Sequence, residues 1–62
     1  MKIYGIYKTP GGEYTAEPAE SAYYAIKSQG PDKVLVDIVG MTALGKRMAQ
    51  LENNEKESDH ND

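Results

Sequence analysis

The apolar positions of this 62-residue chain switch period along its length, and each switch marks an element. "KIYGIYK" (2–8) alternates Ile3, Gly5 and Tyr7 against Tyr4 and Ile6, and its aromatic and β-branched residues predict a strand. "TPGGE" (9–13) places Pro10 before two glycines, the chemistry of a hairpin connection, so "EYTA" (13–16) is expected to return as a second short strand. The period then becomes helical. Ala19, Ala22, Tyr23 and Ile26 stand at i, i+3, i+4 and i+7 and form one stripe. Pro18 suits a first turn, Glu17 and Glu20 suit the positive end of the helix dipole, and Gly30 with Pro31 supplies a stop. A helix over residues 18–28 follows. "KVLVDIV" (33–39) reverts to period 2, with Val34, Val36 and Ile38 on one face and Leu35, Asp37 and Val39 on the other. Gly40 ends that strand. Met41, Leu44, Met48 and Leu51, spaced 3, 4 and 3, then predict a second helix over residues 42–52. Gly45 inside it costs about 1 kcal/mol against Ala, so this helix needs a surface to dock on.

The order is ββαβα, an α+β domain over residues 1–52. Its three-stranded sheet has one helix packed on a face, and a C-terminal helix follows. The connection from the second strand through the helix to the third is a crossover. Residues 53–62 are polar and lack periodicity, and a disordered acidic tail is expected there. Two features do not fit a simple one-faced sheet. The first strand is apolar on both faces, whereas a strand with one wet side alternates. Tyr23 and Tyr24 are adjacent on a helix, so only one of them can lie in the stripe.

Length limits what the fold can do alone. A chain of this size buries roughly 60% of the surface its unfolded form exposes, which leaves a thin core. Small domains compensate with disulfides, a metal or association. Cysteine is absent and His60 is the single histidine, so neither a disulfide nor a four-ligand zinc site can be assembled. Burial against a partner, or a homodimer, is the remaining expectation. The net charge of −3 is unevenly placed. From Glu52 onward five acids face Lys56, whereas the preceding body is close to neutral. No apolar run reaches the ~18 residues of a membrane span, and the N-terminal segment does not read as a signal peptide. A cytoplasmic protein without a membrane partner is therefore expected.

Candidate chemistry is sparse. With His60 in the acidic tail, no histidine base stands in a regular element, and Glu13, Glu17 and Glu20 have no spacing that suggests a general-acid pair. "GKR" (45–47) lacks the spacing of a phosphate loop. No catalytic residue, cofactor or metal is expected, and the chain does not read as an enzyme. The positive sign is a surplus of tyrosine. Tyr24 sits about 100° around the helix from Tyr23, and Tyr4 or Tyr7 must lie on the strand face the helix leaves uncovered. Exposed tyrosines are common binding anchors, although an amphipathic edge residue is the plainer account of each. Lys46 and Arg47 complete the expected partner-binding set of Tyr4, Tyr7, Tyr24, Lys46 and Arg47. The body is too neutral for unaided DNA or RNA binding, so nucleic acid is the alternative partner and another protein the preferred one.

"YTAEPAESAYYAIKSQGPDKVLVDIV" (14–39) resembles the strand–helix–strand core of small phage-encoded ββαβ proteins, through Ala16, Glu20, Ala22, Ala25 and the run from Val34 to Val39. The resemblance covers residues 3 to 39. It implies an accessory protein that binds and modulates or inhibits a host protein. The same outline is similar to antitoxin domains of the HicB type, which would imply a small transcriptional regulator. The C-terminal helix has no counterpart in either.

Overall fold

The computed structural model describes residues 2–60, with side chains from Lys2 to Asn54. The elements are β1 (Ile3–Lys8), β2 (Tyr14–Ala19), α1 (Ala22–Lys27), β3 (Val34–Gly40) and α2 (Met41–His60). The expected α+β architecture is present: a three-stranded sheet in the order β2-β1-β3, antiparallel at both junctions, with two helices. Among the described residues no helix is long and apolar enough to cross a membrane.

The hairpin between β1 and β2 closes as its sequence requires. Thr9 N–H donates to Glu13 O at 2.8 Å, Gly12 N–H donates to Thr9 O at 2.9 Å, and Glu13 N–H donates to Thr9 Oγ1 at 3.2 Å. Gly12 adopts φ +90°, a conformation glycine reaches without a Cβ clash.

Both faces of β1 are apolar because both are covered. Tyr7 and Gly5 lie on one face, where the Tyr7 hydroxyl donates to Ala25 O of α1 at 2.8 Å. Ile6 lies on the other and stands opposite Asp37, which Arg47 of α2 engages. Hence α1 and α2 pack on opposite faces, and β1, the central strand, holds the two most completely buried large side chains, Ile6 and Tyr7. Inward from α2 come Leu51, which is buried, and Leu44, Arg47 and Met48, which are half-buried.

Several expected boundaries shift, each for a local reason. β2 continues to Ala19 through Pro18, and α1 is correspondingly only Ala22–Lys27 instead of 18–28. Pro18 is tolerated because β2 is an edge strand, where a missing N–H need not cost a ladder bond. The alternation in β3 is broken as well. Ile6 pairs with Asp37 but Tyr7 pairs with Leu35, so Val36 is an extra residue, a β-bulge. The bulge puts Leu35 and Ile38 on the Tyr7 face and Asp37 and Val39 on the Ile6 face, in place of the strict alternation expected. Met41 does not join the α2 stripe: it begins the helix directly after β3 and is 65% exposed. The backbone of α2 runs on to His60, and the acidic tail expected over 53–62 falls largely on side chains outside those described.

Candidate functional site

α1 is held against the sheet by its backbone and by one small residue. Ala25 is the residue of this helix that is buried, and its lack of bulk lets the helix approach closely enough for its carbonyl to accept from Tyr7. Tyr7 in turn lies flat across Gly5. A Cβ added at Gly5 would come within 2.8 Å of the Tyr7 hydroxyl oxygen and 3.0 Å of its ring, so glycine provides the space for the ring. Lys33 closes the flank: its Nζ is 4.8 Å from the Tyr7 ring centroid and 2.7 Å from both carboxylate oxygens of Glu17. Gly5, Tyr7, Ala25, Lys33 and Glu17 thus form one unit that fixes the position of α1.

What that unit leaves outside is the candidate site. Tyr23 is 61% exposed, Tyr24 55% and Ile26 52%. The two tyrosine rings meet edge to face, with centroids 5.3 Å apart and planes at 77°, the arrangement that aromatic quadrupoles favour. Lys27 Nζ lies 5.4 Å from the Tyr23 ring centroid, giving the aromatic pair a cationic border. The helix carrying them is anchored at its C-terminal end, where Ser28 Oγ donates to Tyr24 O at 3.0 Å and Gln29 Nε2 donates to Ile26 O at 3.3 Å. The Ser21 side chain makes no cap bond at the other end.

Of the residues proposed from sequence, Tyr24 is exposed as expected. Tyr7 is not a surface residue: it is buried, with its hydroxyl bonded to α1. Tyr4 is half-buried beside Pro18 of β2 and Val39 of β3. Lys46 is exposed on α2, whereas Arg47 is half-buried and donates through Nε to Asp37 Oδ2 at 2.5 Å. That guanidinium holds the Asp37 carboxyl below its ordinary pKa; burial, which opposes the shift, is the weaker influence, and the Ile38 N–H assists it. Lys46 and Arg47 therefore do not share a surface with Tyr24, since α1 and α2 lie on opposite faces of the sheet.

Tyr23 and Ile26 were missed because the stripe through Ala19 assigned them to the core. The alternative signal was Ala25, a small residue compatible with close backbone approach, whereas Ala22 is exposed. Among the described residues no three of His, Cys, Asp and Glu converge as a metal site. Compared with family models, curated proteins and solved structures, the chain matches none.

Proposed function

We propose that this protein is a non-catalytic protein–protein interaction module whose contact surface is centred on Tyr23, Tyr24 and Ile26. On its resemblance to small phage-encoded ββαβ proteins, we read it as an accessory protein that binds and modulates or inhibits a host protein. The observation carrying this reading is that a six-residue helix places two tyrosines and an isoleucine outward, each more than half exposed. Tyrosines bring large contact area with little conformational entropy to lose, and the edge-to-face pairing already restricts these two.

Protein is favoured over nucleic acid by how the cations are used. Lys33 is bound to Glu17 and Arg47 to Asp37, so two of the body's cations already have partners within the chain. The aromatic pair is bordered by Lys27, and one such cation does not make the extended basic surface that phosphate binding needs.

Affinity capture with tagged wild-type protein and with Tyr23→Ala, Tyr24→Ala and Lys46→Ala variants tests the reading. A stoichiometric partner should be retained by the wild type and Lys46→Ala and lost by either tyrosine variant, each confirmed folded. A partner indifferent to both tyrosines, or salt-sensitive retardation of DNA or RNA by the isolated protein, would refute it.

A further inference from the structure

We propose that the outer edge of β3 is a latent self-pairing surface, which Gln29 and Asp37 hold closed against the β3 strand of a second copy. β3 is an edge strand, and a free strand edge presents unpaired N–H and C=O groups that template the addition of another strand. Its side chains favour such pairing: Val34 and Val36 are exposed, and the run Val-Leu-Val-Asp-Ile-Val is apolar apart from Asp37 and holds four β-branched residues. Two identical strands can pair antiparallel about a two-fold axis, so the natural occupant of this edge is another β3.

Two side chains block that pairing. Leu35 N–H donates to Gln29 Oε1 at 2.9 Å, and Ile38 N–H donates to Asp37 Oδ1 at 2.8 Å. Leu35 and Ile38 stand opposite Tyr7 and Gly5, which are two residues apart on β1 and hence in the same phase of the antiparallel ladder. Both N–H groups accordingly point away from β1, toward the free edge, where an incoming strand would need them. Val36, the bulge residue, lies between the two and disturbs the regular spacing a partner strand would have to match. The opposite edge has its own obstacle, because Pro18 in β2 has no N–H to offer.

Each guard is oriented by a different helix. Gln29 Nε2 donates to Ile26 O at the end of α1, and Asp37 accepts from Arg47 of α2. Closure of the edge is thereby tied to the docking of both helices, and loss of either would free one N–H group.

The experiment has two arms. Amide hydrogen exchange on the wild-type chain should show Leu35 and Ile38 protected by about tenfold or more over unstructured peptide, despite their edge position. Exchange of both at unstructured rates would overturn the proposal. Sedimentation velocity should show Gln29→Ala, and more strongly Gln29→Ala with Asp37→Ala, self-associating about tenfold or more tighter than wild type. Adding Val36→Lys should abolish that gain, because a charge on the edge repels a second strand. Gln29 is exposed, so the single variant carries this arm if the double one does not fold. Folded variants that sediment as wild type, or association that Val36→Lys leaves unchanged, would overturn it.

Discussion

The two helices place their apolar residues in opposite directions. α2 turns Leu44, Met48 and Leu51 toward the sheet and leaves Lys46, Gln50 and Glu52 outside, the ordinary arrangement of a docked amphipathic helix. α1 turns Ala25 toward the sheet and leaves Tyr23, Tyr24 and Ile26 outside. The difference lies in what holds each one. α2 is fastened by side chains, including the Arg47–Asp37 ion pair. α1 is fastened through its backbone, by a carbonyl that accepts from Tyr7 on the central strand. A helix held by its backbone does not need its large side chains for docking, and they become available for contact with something else.

Matched truncations on the two helices should separate them most widely. Leu51→Ala removes a buried side chain and should cost about 2–3 kcal/mol, toward the lower end for a core leucine. In a chain of this length that is a large part of a total stability of only about 3–5 kcal/mol. Ile26→Ala should cost less than about 0.5 kcal/mol, as surface substitutions do. Urea midpoints for the two variants check the contrast; comparable losses would mean that α1 is also fastened by its side chains.

The backbone attachment of α1 can be broken directly. Tyr7→Phe leaves the Ala25 carbonyl without its donor beneath the helix and should cost about 1–3 kcal/mol. Gly5→Ala pushes a methyl group against the Tyr7 ring and should cost a similar amount, about 1–3 kcal/mol, because the ring is pinned by its hydrogen bond and cannot swing aside. The two substitutions act on one contact, so their combined cost should fall well short of their sum. Thermal unfolding of the single and double variants measures this, and strict additivity would show that Gly5 and Tyr7 act separately.

The sequence made the element order, the hairpin chemistry, β1 and the inward run of Leu44, Met48 and Leu51 legible, because each depends on local period or turn residues. It did not reveal which way α1 faces. That orientation is set by a tertiary hydrogen bond from Tyr7, a residue 18 positions away, and by β2 extending to Ala19, which removes the first member of the apparent stripe. The bulge at Val36 was equally hidden. A one-residue slip inverts the faces of everything beyond it, and the alternation of Val34 to Val39 reads the same with or without the slip. The fully apolar β1 was the clue that both faces are covered, and α2 supplies the second cover.

The ion pair that fastens α2 gives the comparison a smaller, pH-dependent term. Asp37 has a folded-state pKa below its ordinary 3.8, chiefly because Arg47 donates to it. A carboxyl depressed on folding adds stability that is fully present above its unfolded pKa and is lost as pH falls through the folded value. Both side chains are about one-third exposed, so solvent screening limits the contribution to roughly 1 kcal/mol or less. Stability should therefore fall as pH drops below about 3.8 in the wild type, and Asp37→Asn should remove that part of the slope. Identical acid profiles for the two proteins would show that the pair does not help to dock α2.

The smallest expected effect on folding belongs to the residues with the largest expected effect on binding. Tyr23 and Tyr24 touch each other, Lys27 borders Tyr23, and both tyrosines stay more than half exposed. Tyr24→Ala forfeits one edge-to-face contact at an exposed position, and its folding cost should stay within about 0.5 kcal/mol. If these rings anchor a protein partner, the same substitution should weaken binding by at least ~2 kcal/mol. The ratio of the two effects is the informative quantity. Leu51→Ala, on the other helix, should show the reverse: a large folding cost and no change in affinity once corrected for the unfolded fraction. Denaturant titrations paired with binding isotherms for Tyr24→Ala and Leu51→Ala measure both sides. A tyrosine variant that loses stability in step with affinity would place Tyr24 in the fold and not at its contact surface.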